Sequence, residues 1–204
     1  MSKKTILTFV LVTLGILLGV GGLLWQFGNK TENPIADIAG EMRYQMGEGE
    51  ITLVEFSDFQ CPACQFVQAP LKQILTKYSG KVRFVYRDFP LTNIHKNATR
   101  AAQAAEAAHQ QGKFWEMHDK LFETQSEWSE LADPSEKFGV YATELGLEKE
   151  KFLVDINSPV TKDIVETDAL AARKYQLQGT PTFFVNGIET DFEQLEIKIQ
   201  ELVK

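Results

Sequence analysis

The sequence predicts an α/β domain, with a central mixed sheet flanked by helices and a helical insertion, behind an N-terminal transmembrane helix. Three observations predict it. Short apolar, β-branched runs stand near both ends of the folded part, at Ile51–Ser57, residues 82–87 and Thr182–Val185. Apolar residues at helical spacing follow the first run and then fill most of residues 98–175. A stretch with no charged residue spans positions 5–29.

That stretch is long enough for the roughly 20 residues that cross a bilayer core. Lys3 and Lys4 precede it, and the positive-inside tendency keeps such residues cytoplasmic. Residues 1–30 therefore read as a signal-anchor, single-pass, with the rest of the chain outside the cytoplasm. A cleaved signal peptide is the alternative. Its apolar region is normally shorter, and no Ala-x-Ala site follows here. Residues 31–48 read as a polar linker with a short helix within 35–46.

The folded domain is expected over 49–204. Ile51–Ser57 reads as a buried strand. After Cys61-Pro62-Ala63-Cys64, the apolar residues Phe66, Val67, Leu71, Ile74 and Leu75 recur at helical spacing, and Ser79-Gly80 ends the helix. Residues 82–87 form a second strand, closed by Pro90. An insertion of about 92–176 follows. It holds an alanine-rich helix at 98–111, an apolar helix face from Phe114 to Phe122, and helices at 136–145, 149–156 and 159–175. Thr182–Val185 is a third strand and Asn186-Gly187 a hairpin turn to a short fourth. A helix over 192–203 completes the chain. The first two strands fit a crossover unit with a parallel pair, and the final hairpin an antiparallel addition.

Charge narrows the function. The chain carries a net −7, and residues 1–30 hold three lysines and no acid, so the remainder is more acidic still. Phosphates would be repelled, which excludes nucleic acid as a partner. The two cysteines lie three apart, so no long-range disulfide frames the fold.

Chemistry concentrates at Cys61-Pro62-Ala63-Cys64, where a strand turns into a helix. Both sulfurs then sit within one helical turn. The free N–H groups and partial positive charge of the helix start favour thiolate over thiol, so Cys61 should be unusually acidic. Pro62 suits the first helical turn, where its missing N–H costs nothing. Thiolate is the attacking species in disulfide exchange, and an acidic thiol is also a good leaving group. Zinc would need about four ligands, and only three scattered histidines accompany the two cysteines. No metal ligands are assigned. His95, His109 and His118 read as helix-packing or surface residues, and Trp115 and Trp128 as packing residues.

The run Phe56-Ser57-Asp58-Phe59-Gln60-Cys61-Pro62-Ala63-Cys64 resembles the active site of the DsbA-like thiol–disulfide oxidoreductases, of the thioredoxin-fold superfamily. Residues 82–91, Gly112-Lys113-Phe114-Trp115 and residues 179–187 match as well. The likeness covers roughly 49–204. It implies a thioredoxin fold, a redox-active Cys61–Cys64 disulfide with no bound cofactor, and Pro181 as a cis-proline facing that disulfide. It implies Thr180 as a backbone site for an extended substrate, beside Pro62 and Ala63. Glu55 lies where the family carries a buried acid. It is open between relaying a proton to Cys64 and facing solvent or a lysine. The implied partners are reduced, unfolded exported proteins and a DsbB-like, quinone-linked membrane protein. One departure is that Ala63 stands where the best-known strongly oxidising member has histidine, which puts oxidising strength in doubt. The direction of exchange, oxidation or reduction and isomerisation, stays open at this level. So does a tethered peptide-binding or chaperone role.

Overall fold

A computed structural model describes residues 34–203. The expected membrane anchor lies outside the described residues, and among these no helix is long and apolar enough to cross a membrane. In chain order the elements are α1 (Pro34–Ala39), β1 (Gln45–Met46), β2 (Ile51–Ser57), α2 (Pro62–Lys77), β3 (Val82–Asp88), α3 (Ala98–His109), α4 (Phe114–Glu123) and α5 (Gln125–Trp128). Then come α6 (Ser135–Glu144), α7 (Lys149–Asp155), α8 (Pro159–Lys174), β4 (Thr182–Val185), β5 (Ile188–Glu189) and α9 (Phe192–Leu202).

The sheet order is β1-β3-β2-β4-β5. β2 and β3 are parallel, and β1, β4 and β5 join antiparallel. This is the mixed sheet expected, with helices α3 to α8 between β3 and β4. All seven residues of β2 are buried, because helices cover both faces of a central strand. The pleat then sorts them. Ile51, Leu53, Glu55 and Ser57 pair with Val82, Phe84, Tyr86 and Asp88, and these positions share one face. Val54 and Phe56 join Val85, Phe184, Ile38 and Ala172 in a second cluster on the other.

α2 buries Cys64, Val67, Leu71 and Ile74, one stripe at helical spacing, against the first face. In the insertion, Trp128, Phe138 and Phe152 are fully buried, and each such side chain contributes about 2 kcal/mol or more by removal from water. Trp128 keeps its indole N–H satisfied by donating to the Leu121 carbonyl at 2.9 Å. This core holds the helical block on the sheet rather than leaving it as an appendage.

The expected linker over 31–48 is corrected in its C-terminal part. α1 packs Ile38 and Ala39 into the second cluster, and Tyr44 is buried. Gln45 and Met46 then pair with Val85 and Phe84 along the free edge of β3. An edge strand of two exposed residues carries no apolar alternation, so nothing in its composition marks it. The short helix expected within 35–46 is confined to the first turns and gives way to strand. Gly49 is needed where the chain enters β2: a Cβ there would lie 2.0 Å from the Lys81 carbonyl carbon.

Candidate active site

The site begins at the end of β2. The chain makes a turn at Asp58, whose carbonyl accepts the Cys61 N–H at 3.0 Å. The Asp58 carboxylate fixes the loop by accepting the N–H groups of Gln60 at 2.7 Å and Leu91 at 2.8 Å, with His95 Nδ1 at 2.7 Å. Asp58 is thus a buried turn acid and His95 its partner. Amide side chains tie the loop to the helical block. Gln125 of α5 donates to the carbonyls of Phe59 and Cys61 at 2.8 and 3.0 Å, and Gln60 donates to the Ser129 carbonyl at 2.9 Å.

Cys61 is the residue that caps α2, with extended backbone (φ −74°, ψ 122°), and Pro62 fills the first helical position. Pro62 and Ala63 are exposed, Cys61 is nearly buried and Cys64 wholly so. No disulfide joins the two cysteines in this structure. Across from them the Thr180–Pro181 peptide is cis, and the Cys61 sulfur lies 3.5 Å from the Thr180 carbonyl oxygen. Thr180 and Pro181 are half-buried. The structure therefore brings together Cys61, Cys64, Pro62, Ala63, Thr180 and Pro181.

The two sulfurs are electrostatically unlike. A hydrogen bond from the Cys64 thiol, joined by backbone N–H groups of Cys64 and Ala63, holds Cys61 down to about 5 against the opposing effect of burial. Burial pushes the Cys64 thiol upward, and its bond to Cys61 and the charges of Glu55 and Cys61 push the same way. One cysteine is an anion at neutral pH while its neighbour holds a proton.

Glu55 does not face solvent or a lysine. It is fully buried in the middle of β2. One carboxyl oxygen, Oε1, accepts the Ser57 hydroxyl at 2.7 Å and the Gln68 amide at 3.1 Å, and Oε2 has no partner. Burial lifts this carboxyl to about 7, the two hydrogen bonds opposing. Gln68 also donates to the Cys64 carbonyl at 3.2 Å, so it links the acid to the cysteine turn. Residue-by-residue reading of the sequence missed Ser57 and Gln68. Each carried a signal: Ser57 lies two residues from Glu55 on a strand, and Gln68 four residues from Cys64 on a helix, so each shares a face with its partner.

His118 and His109 both pack among aromatic rings. His118 is buried among Phe59, Tyr86, Trp115 and Phe122, and its pKa is lowered by that burial. His109 packs edge-on against Tyr44. Trp115 is partly buried against Phe84 and Phe114.

Comparison with known proteins agrees with this geometry. A family model described as Thioredoxin matches residues 42–204. The crystal structure of oxidised BdbD from Bacillus subtilis superposes with a TM-score of 0.70 at 25% identity, covering 79% of this chain and 92% of that one. A thioredoxin-like oxidoreductase from Silicibacter pomeroyi gives 0.68 at 26% identity, covering 82% and 96%. The thiol-disulfide exchange protein alpha-DsbA2 from Wolbachia pipientis shares the fold, with a TM-score of 0.69 at 21% identity, covering 82% and 90%. Among curated proteins, the Na(+)/H(+) antiporter NhaA 3 of Salinispora tropica is 40% identical over 140 residues, 69% of this chain. The match spans 21% of that antiporter's length, so the chain corresponds to about a fifth of it. A family match over 42–204, joined to two thiols at a helix start opposite a cis-proline, makes this chain a member of the thioredoxin family, as a DsbA-like protein.

Proposed function

We propose that this chain is a thiol–disulfide oxidoreductase that introduces disulfides into exported proteins outside the cytoplasm. The observation that carries the reading is the acidic Cys61 sulfur at the start of α2, beside Cys64 and 3.5 Å from the Thr180 carbonyl across a cis peptide. An acidic thiolate stabilises the dithiol form over the disulfide, which makes the disulfide a stronger oxidant. That favours donation of disulfides over reduction. It also bears on the histidine that Ala63 replaces, because the Cys64 thiol and backbone N–H groups stabilise the thiolate without it.

In the proposed cycle a substrate thiolate attacks Cys61 of the Cys61–Cys64 disulfide and forms a mixed disulfide, and Cys64 leaves. A second substrate thiolate then attacks the mixed disulfide, leaving a disulfide in the substrate and a dithiol in the enzyme. Thr180 and Pro181 line the approach, and Thr180 offers its backbone to the extended substrate chain. Phe66, 79% exposed three residues after Ala63 on α2, adds apolar surface for an unfolded client. Reoxidation falls to a membrane partner of the DsbB, quinone-linked kind. The apolar stretch of residues 1–30 tethers the domain beside that partner and raises their effective concentration.

The test is oxidation of reduced, unfolded ribonuclease A by the disulfide form, with the reduction potential measured against glutathione. A potential near −120 mV is expected of an oxidase, and one near −270 mV would assign a reductase instead. Wild-type rates from a Cys61→Ser protein would remove the redox role altogether. Fractionation of the full chain into membrane and soluble parts, with mass of the product, tests the tether.

A further inference from the structure

The mixed-disulfide cycle leaves one requirement unmet at the surface. Cys64 is wholly buried, so its proton has no direct route to water. Glu55 is the nearby acid, but it sits on β2 while Cys64 sits on α2. A hydroxyl stands with them. Ser57 follows Glu55 by two residues on β2, so both side chains leave the same face of the sheet, the face that α2 covers with Cys64. Ser57 is 1% exposed and donates to Glu55 Oε1 at 2.7 Å. On that face the hydroxyl is placed toward Cys64, whose thiolate it favours. Oε1 is therefore the carboxyl oxygen in reach of the Ser57 hydroxyl, and Oε2 is buried without a partner.

We propose that the Ser57 hydroxyl carries the proton between Cys64 and Glu55 during disulfide exchange, and so is a catalytic residue of this site. The inference rests on the thiol–disulfide reading above. When a substrate thiolate attacks Cys61, the Cys61–Cys64 bond breaks and a Cys61–substrate bond forms. The Cys64 sulfur leaves with the electron pair of the broken bond. It takes the Ser57 hydroxyl proton, while Ser57 takes the proton held by the Glu55 carboxyl, which becomes carboxylate. In the reverse direction Cys64 gives its proton to Ser57 as Ser57 gives its own to Glu55. The Cys64 thiolate then attacks Cys61, and the substrate sulfur leaves as thiolate. No oxidant enters beyond the two disulfides exchanged.

Gln68 completes the arrangement. It bonds both Glu55 Oε1 and the Cys64 carbonyl, and its other side lines a cavity of about 580 Å³ that runs behind α2 past Leu71, Trp115 and His118. Gln68 therefore stands between Glu55 and that cavity. The titratable groups that face this hydroxyl and carboxyl are Cys61 and Cys64 from α2 and its cap, and Tyr86 and Asp88 from β3; His118 from α4 packs on Tyr86. β4 presents Phe183 opposite Glu55, which does not titrate.

The experiment separates the two cysteine steps in the full chain. Reduced protein is mixed with glutathione disulfide. Attack by Cys61, which forms the mixed disulfide, and its resolution by Cys64 are followed by acid quench and mass across pH 5–9. In Ser57→Ala the resolution step should slow by about a hundredfold, the scale of one positioned acid–base group, while Cys61 attack keeps its rate. Ser57→Thr, which keeps the hydroxyl, should restore resolution, and the solvent isotope effect on that step should be lost in alanine and present in threonine. Wild-type resolution in Ser57→Ala overturns the proposal. So does an equal slowing of both steps that threonine fails to rescue, which marks a packing role. Loss of the thiol–disulfide reading itself would show differently, as no mixed disulfide in wild type.

Discussion

Replacing Cys64 with alanine removes the largest support of the Cys61 thiolate, the hydrogen bond from the Cys64 thiol. A hydrogen bond to a charged group is worth about 1.5–3 kcal/mol, and one pKa unit is about 1.36 kcal/mol. Cys61 should therefore rise from about 5 by about one to two units in Cys64→Ala. It should stop short of the ordinary cysteine value, about 8.5, because the backbone N–H groups at the start of α2 remain. Cys64→Ser keeps an O–H donor and should move Cys61 less. Thiolate absorbance at 240 nm reads this directly, and with one thiol left the titration belongs to one residue rather than to a coupled pair. Parallel alkylation rates against pH give a second measure. An unchanged Cys61 in Cys64→Ala would refute the assignment of the Cys64 thiol as main donor, and a wild-type value near 8.5 would refute the acidic cysteine itself.

The same sulfur links stability to pH. Cys61 is depressed in the folded dithiol to about 5, so its contribution is fully present above the unfolded value and lost as pH falls through about 5. The disulfide form lacks that titration, so guanidinium unfolding should show the dithiol gaining on the disulfide between about pH 5 and 9; a constant difference would contradict it. Glu55 acts with the opposite sign. Raised from 4.5 to about 7, it costs stability as pH rises through that window, so Glu55→Gln should be stabilising by up to about 3 kcal/mol at pH 8 and by nothing at pH 4. A pH-independent effect of that substitution would sink the buried-acid reading. Arg87 donates to Asp168 at 3.0 and 2.6 Å in the interior. Asp168→Ala should cost about 3–5 kcal/mol in urea because it strands a buried charge, whereas Glu196→Ala, which frees the exposed Lys77, should cost under about 1 kcal/mol.

Local pattern settled much of the architecture. Ile51–Ser57 and Thr182–Val185 are strands because β-branched and aromatic residues fit a pleat buried on both faces, and the helix after Pro62 follows from its apolar stripe. The paired cysteines were legible for the same reason: a helix start acts on any cysteine placed there, whatever surrounds it. Elements with little pattern of their own escaped. α5 is a single turn whose Gln125 reaches back to the cysteine loop, and β1 is two exposed residues that the open edge of β3 recruits.

By itself, the sequence determined the β-α-β start, the helical block, the closing hairpin and the pair of sulfurs at a helix start, because each follows from contacts a few residues long. Tertiary structure decided that Glu55 is buried rather than solvated, and it sets the cis Thr180–Pro181 peptide, which the family resemblance implied, against Cys61. It also decided which polar side chains stand beside that acid: Ser57 from its own strand, Gln68 from α2 and Tyr86 from β3. The physical reason is that a buried polar group is fixed by partners that satisfy it, and those partners come from elements that only folding brings together.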